Sequence, residues 1–386
     1  MYTRTRLTEW YDVIVGKMPH LSKPQAYVLA IYSFGMIIAQ SCGQTKVSFS
    51  IAALLNTKAG SVRQRLREWY FDREDKRGKN RMEIEVSKSF VPLLQWLISW
   101  WAPGEKRLAL AMDATSLGQN LVVLAISVVY RGCAIPIAWC ILSATQKGSW
   151  KKEWLSLFAL LDGAIPSDWL VIVMADRGLY ARWLYIAIKN CHWHPFLRVN
   201  GRGLYRTKDS NEFKPLRLAV QTPGFTWSGL VICFKANPIE ATLLARWEDG
   251  YKDPWLILTD LPVEQASATW YSLRAWIERG FKHIKSAGWR WDYTRMTDPK
   301  RAARLWLAIA VATLWVLSVG GEADANIPAN SFLPLPEDEV DKQAMHKKTA
   351  RRLLSCFHRG LIIIISALIS QKPLPFGLFF PEPWPS

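Results

Sequence analysis

Arg107-Leu108-Ala109-Leu110-Ala111-Met112-Asp113 and Trp169-Leu170-Val171-Ile172-Val173-Met174-Ala175-Asp176 decide the fold. Each is a short apolar run that stops at an aspartate. Runs of this length are too short for typical helices, and the second is rich in β-branched residues, so both read as buried strands. Between them, Asn120 to Tyr130 and Cys133 to Leu142 read as two more strands, and the break at Tyr130-Arg131-Gly132 reads as a hairpin turn. Trp150 to Leu161 and Leu179 to Asn190 carry apolar residues at helical spacing, and His194 to Val199 reads as a fifth strand.

The resulting order is three strands, helix, strand, helix, strand. It matches an α/β core of ribonuclease-H-like type, a mixed sheet with helices on its faces. Residues 201–262 interrupt it with Gly and Pro breaks and short alternating runs, and read as a β-rich insertion. A long helix is expected from Ser267 to about Ser286 and a second from Pro299 to Val319. The tail holds a Pro- and acid-rich linker, Asn326 to Asp341, then a basic helix and the apolar run near Leu361. Upstream, the sequence reads as helical. Ser50 to Leu55, a polar turn through Gly60, and the basic stretch Ser61 to Tyr70 form a helix-turn-helix pattern. Its Arg63, Arg65 and Arg67 are candidate DNA contacts, or else a solvated basic face. Asp72 to Arg81 reads as an exposed loop. The expected division is 1–105 helical DNA-binding region, 106–200 first part of the core, 201–262 insertion, 263–320 second part of the core, and 321–386 linker and C-terminal helical region.

The 49 basic residues exceed the 32 acidic ones, giving a formal charge of +17 and a pI near 9.7. Such a balance points to a polyanionic partner, most often nucleic acid. Most of the 21 tryptophans are expected to fill the core, with one or two free to stack on bases. The six cysteines form no C-x-x-C pair, which argues against a zinc ribbon or disulfide framework and fits a reducing cytoplasm. His192 and His194 flank Trp193 without the further ligands that zinc needs. The start lacks a signal-peptide core. Leu305 to Gly320 and Leu361 to Ser370 fall short of the roughly 20 apolar residues that cross a bilayer, so both read as buried helices and no membrane partner is expected.

Two aspartates at strand ends sit where ligands gather in an open α/β sheet. Asp113 and Asp176 there could share divalent cations, or each could merely cap a turn. The expected helix adds Tyr271, Arg274, Glu278 and Lys285 at intervals of three, four and seven, hence on one face. A phenol, guanidinium, carboxylate and ammonium make a poor core stripe and a plausible metal- and phosphate-binding one. A solvated Arg274–Glu278 pair is the plain alternative.

These residues resemble the DDE transposases of the bacterial insertion-sequence-four group, whose Y-x2-R-x3-E-x6-K signature matches Tyr271, Arg274, Glu278 and Lys285 at every interval. Met112-Asp113-Ala114-Thr115 and Ala175-Asp176-Arg177-Gly178 resemble the family's two aspartate motifs, with Ala114 where Gly is common. The resemblance covers roughly 107–318 and includes the β-rich insertion. It implies that Asp113, Asp176 and Glu278 are catalytic and hold two Mg2+ (or Mn2+) ions. Water would then cut at the element end, and the freed 3′-hydroxyl would attack again. It also implies a DNA hairpin intermediate with a flipped base. Pro254-Trp255-Leu256-Ile257-Leu258-Thr259 resembles the segment that stacks that base, although it lies closer to Glu278 than the family pattern has it. Trp255 is therefore the stacking candidate, with core packing as its alternative. Tyr271, Arg274 and Lys285 would bind phosphates. The implied partners are double-stranded DNA, as transposon ends and target, and a second copy of the chain in the DNA complex. The implied place is the bacterial cytoplasm, at the nucleoid. Competing readings are a ribonuclease-H-like nuclease or resolvase without strand transfer, a domesticated non-catalytic DNA-binding protein, or a basic scaffold without chemistry.

Overall fold

The computed structural model describes residues 2–76, 82–325 and 354–385. The expected linker and basic helix of the tail, and the end of the Asp72–Arg81 loop, lie outside the described residues. The chain forms a mixed α/β structure around one large sheet. β1 (Arg107–Leu117), β2 (Leu121–Tyr130) and β3 (Cys133–Ser143) run as an antiparallel meander. Arg131 and Gly132 both take positive φ, the twist that a two-residue hairpin requires. α6 (Lys151–Leu161) leads to β4 (Leu170–Ala175), and α7 (Arg182–Asn190) to β5 (His194–Arg198). β4 lies parallel to both β1 and β5.

The stretch expected as an insertion holds β6 (Leu204–Thr207), β7 (Lys214–Pro215), β8 (Thr226–Cys233), β9 (Ile239–Arg246) and β10 (Trp255–Thr259). These strands do not form a separate layer. β10 pairs antiparallel with β5, and the sheet continues in the order β3-β2-β1-β4-β5-β10-β9-β8-β6-β7. The loop before β10 is thereby carried to the flank of β5, next to the end of β4.

The expected long helix is an unbroken helical run, but not a regular one. It is a 3-10 helix over Ala268–Ala275, α8 over Trp276–Lys282, and a π turn over His283–Ala287. Such local changes of pitch concentrate at functional sites. Gly280 seats the run on the sheet: a Cβ there would lie 2.7 Å from that of Ala134 on β3.

Among the described residues, five α-helices precede the sheet: α1 (Tyr2–Lys17), α2 (Lys23–Ala39), α3 (Gln44–Leu55), α4 (Ala59–Tyr70) and α5 (Phe90–Ser99). Val62, Leu66, Trp69 and Tyr70 form the buried stripe of α4, and its arginines lie on the other side. α9 runs from Pro299 to Ala325, farther than the apolar run suggested, because Gly320, Gly321 and Glu322 continue the helix. At 27 residues it is long and apolar enough to cross a membrane, so length does not decide its setting. Burial does: 94% of its most apolar window is covered by protein. Trp306 and Trp315 on α9 are fully buried, and Trp315 stacks on Trp10 of α1 with ring centroids 4.0 Å apart. Tryptophan here is mainly core material, as expected. α10 (Cys356–Ile369) packs on α9.

Candidate active site

The two strand-end aspartates are neighbours by register. β1 and β4 pair in parallel up to Ala111 opposite Met174. Two residues farther along each strand bring Asp113 alongside Asp176. Pairing with β4 ends there, but β1 itself continues on β2 to Leu117, so Asp113 lies inside the strand and not at its end as expected. Both carboxylates also make the plain local bond: Asp113 accepts from the Ala114 amide at 2.8 Å and Asp176 from the Arg177 amide at 2.7 Å.

The signature run crosses this sheet edge; Tyr271, Arg274 and Lys285 bond to it directly, and Glu278 is linked to it through Arg274. Tyr271 Oη lies 3.4 Å from Asp176 Oδ1 and 3.4 Å from the Ala175 carbonyl. Arg274 forks: Nη2 donates to Asp113 Oδ2 at 2.8 Å and Nη1 to Glu278 Oε1 at 2.7 Å. Lys285 Nζ donates to Thr115 Oγ1 at 2.6 Å. Asp113 and Glu278 are thus separated by one guanidinium. The buried Nε of Arg274 has no partner, leaving one donor unused.

Burial pushes the Asp113 carboxyl above its usual range. Arg274 and the Ala114 amide pull it down, while Glu278 and Asp176 push it further up. Burial also opposes the charge of Arg274, but Asp113, Tyr271, Asp176 and Glu278 outweigh it and its pKa is raised. The Tyr271 phenol is pushed up by burial and by Asp176. Burial lowers Lys285. The site therefore gathers negative charge around a partly buried corner, with Arg274 bridging Asp113 and Glu278.

Among the described residues, no group of three or more His, Cys, Asp or Glu side chains is drawn together closely enough to hold a metal. The reason is visible in the geometry: Arg274 stands between two of the acids. The donor set nevertheless suits a hard cation, being all carboxylate oxygen. A guanidinium held by two of those carboxylates is itself a cation in that position.

Trp255 opens β10 half-buried, with its ring edge-to-face on Tyr271 at 5.6 Å and on Tyr251 at 6.3 Å. Neither the core-packing nor the stacking expectation is complete, since the ring braces Tyr271 and keeps part of its surface open. Arg63, Arg65 and Arg67 are exposed along α4 and take no part in the acid site. Arg65 lies over Tyr27 and Arg67 over Phe71. His194 Nδ1 lies 3.0 Å from Asp260 Oδ1.

Sequence reasoning missed Arg198 and Thr115. Arg198 ends β5 with Nη1 3.8 Å from Asp176 Oδ1. It lines a cleft of about 490 Å³ with Arg177, Arg202 and Arg217. Its signal was available, because residues at the ends of adjacent parallel strands converge on one ligand edge. Thr115 sat unassigned within the first aspartate motif.

Residues 153–315 match the sequence family described as "Transposase DDE domain". The match supports a DDE transposase. Its span contains Asp176, Trp255 and the 271–285 signature but starts after Asp113. No curated protein matches the chain. Seven solved chains match, including one from the cryo-EM structure of a piggyBac transposase synaptic complex with hairpin DNA. It is 11% identical, with a TM-score of 0.36 over 76% of the present chain and 66% of that one. The present chain spans just under two thirds of that chain's length.

Proposed function

We propose that this chain is a transposase of the insertion-sequence-four group that cuts and joins DNA ends at Asp113, Asp176 and Glu278, on a ribonuclease-H-like core of β1 to β5. The observation that carries the reading is Arg274, which bonds Asp113 and Glu278 together while Tyr271, on the same helical run, touches Asp176. Two aspartates far apart in sequence meet residues of one signature at a single sheet edge.

The three carboxylates would hold Mg2+ or Mn2+, two ions in the group's usual chemistry, which supply Lewis acidity and a water acidic enough to attack a phosphodiester. The chain's own residues do the rest. Arg274 has an unused buried Nε and a fork that fits a phosphate as well as a carboxylate. Lys285, poised on Thr115, offers a compact cation to the phosphate that reacts. Trp255, held upright by Tyr271, offers a ring to an unstacked base and so supports a hairpin route. The exposed arginines of α4 hold flanking duplex, making the N-terminal helices a DNA-binding region, and two copies hold two ends. The chain acts in the bacterial cytoplasm, on the nucleoid.

The test uses duplexes carrying the inverted repeats that flank the gene, with Mn2+, comparing wild type with Asp113→Asn. Wild type should nick, form a hairpin and join ends, and the variant should do none of these. Equal cutting by both would end the proposal. Cutting without joined product would favour the resolvase-like reading instead.

A further inference from the structure

A second cleft opens away from the acids, where the N-terminal helices meet the segment that follows the signature run. Its volume is about 620 Å³. Lys46 of α3, Arg67 of α4, and Arg290, Arg295 and Arg301 line it, with Asp298 the one acid among its lining residues. That acid is engaged, since Asp298 Oδ1 accepts from the Arg301 amide at 2.8 Å at the start of α9. Arg301 pairs with Asp75 at 3.3 Å. Among the described residues, Lys46, Arg67, Arg290 and Arg295 pair with no carboxylate, and all four are exposed. Four unpaired cations facing one concavity repel one another, a cost that a polyanion would reverse.

The cleft is also rigidly built. Trp289 and Trp291 are fully buried on either side of Arg290. Trp289 Nε1 donates to Thr313 Oγ1 of α9 at 2.8 Å, and its carbonyl accepts from the Cys42 amide at 2.6 Å, tying the segment to the start of α3. Tyr293 stands 76% exposed near the rim, with the Arg290 guanidinium 5.8 Å from its ring. The wall is therefore an anchored loop presenting charges, and it begins five residues after Lys285.

We infer that this cleft is a second DNA-backbone site, gripping duplex beyond the reacting phosphate so that the N-terminal helices and the catalytic sheet hold one and the same DNA. The inference rests on the transposase reading for its ligand. Charges without base-edge geometry read phosphates and not sequence, so the grip should be sequence-independent and strongly salt-dependent.

The experiment measures fluorescence anisotropy of the full chain on two labelled random-sequence duplexes, one long and one shorter than a helical turn, across a salt series. The double variant Lys46→Ala with Arg295→Ala should bind the long duplex on the order of tenfold more weakly, with its log–log salt slope reduced by roughly 2, one phosphate contact per residue. Affinity for the short duplex should not move, nor should the melting temperature. Lys46→Arg with Arg295→Lys should restore the slope. An unchanged slope on the long duplex, or an equal loss on the short one, would overturn the inference. If wild type shows no Asp113-dependent cutting while the slope still falls, the catalytic reading fails and the cleft stands.

Discussion

Replacing Arg274 by Gln should tighten the binding of Mn2+ to the DNA-free protein. Arg274 and Asp113 are 13% and 21% exposed at their side chains, whereas Glu278 is 61% exposed. The Glu278 arm is therefore screened and contributes little. The Asp113 arm is a charge-assisted bond in a mostly buried corner, of a type worth about 1.5–3 kcal/mol. The residual exposure favours the lower end. A cation that must displace Arg274 from Asp113 forfeits that bond, and about 1.4 kcal/mol is tenfold in affinity. Free Mn2+ followed by electron paramagnetic resonance during titration should report a dissociation constant about tenfold lower for Arg274→Gln than for wild type. Arg198→Gln is the control: it removes a positive charge 3.8 Å from Asp176 but bridges no second acid. Its effect should be clearly smaller. Arg274→Lys, which keeps the charge and loses the fork, should fall between. Unchanged or weaker binding by Arg274→Gln, or an equal gain in Arg198→Gln, would refute the reasoning.

Asp113→Asn should melt at a higher temperature than wild type near neutral pH. Burial raises the Asp113 pKa on folding, so its charge costs stability as pH rises through that raised value; the gap to the Asn variant should close as pH falls back through it, and a gap independent of pH would contradict this sign. Trp255→Ala should leave first-strand nicking nearly intact and slow hairpin formation by roughly 10- to 100-fold, as expected for one lost base–aromatic stack; quenched-flow analysis of both steps decides, and equal slowing would remove the stacking role. Gly280→Ala should destabilise by about 1–3 kcal/mol through overpacking against Ala134, read by denaturant unfolding.

How much of this was legible in the sequence depends on how local each signal is. Strands β1 to β5 and their helices were readable because each carries its own apolar period, and the tight Arg131-Gly132 turn is written in two residues. The 3-10 and π segments of the signature run were not, because a mid-helix change of pitch leaves the residue spacing intact. The placement of β10 against β5 depends on pairing between distant strands, which no window of sequence contains. Arg198 is different: the end of the fifth strand was readable, and so was the rule that adjacent parallel strands deliver their last residues to one edge, so its place beside Asp176 could have been inferred.

The spacing of Arg274 and Glu278 predicted their contact, for an i,i+4 pair on a helix meets whatever the tertiary structure. Its meaning was not predicted. On a solvated face the pair would be worth a fraction of a kcal/mol. Asp113, delivered from a strand far upstream, turns the same guanidinium into a bridge between two acids that otherwise repel. A chain that gathers carboxylates into a low-dielectric corner must balance them with a cation of its own or recruit one. Arg274 is the built-in answer, and its free Nε and planar fork let it trade carboxylates for phosphate. On the proposed function, the cation that holds Asp113 and Glu278 together in the free protein would be the same one that receives the DNA.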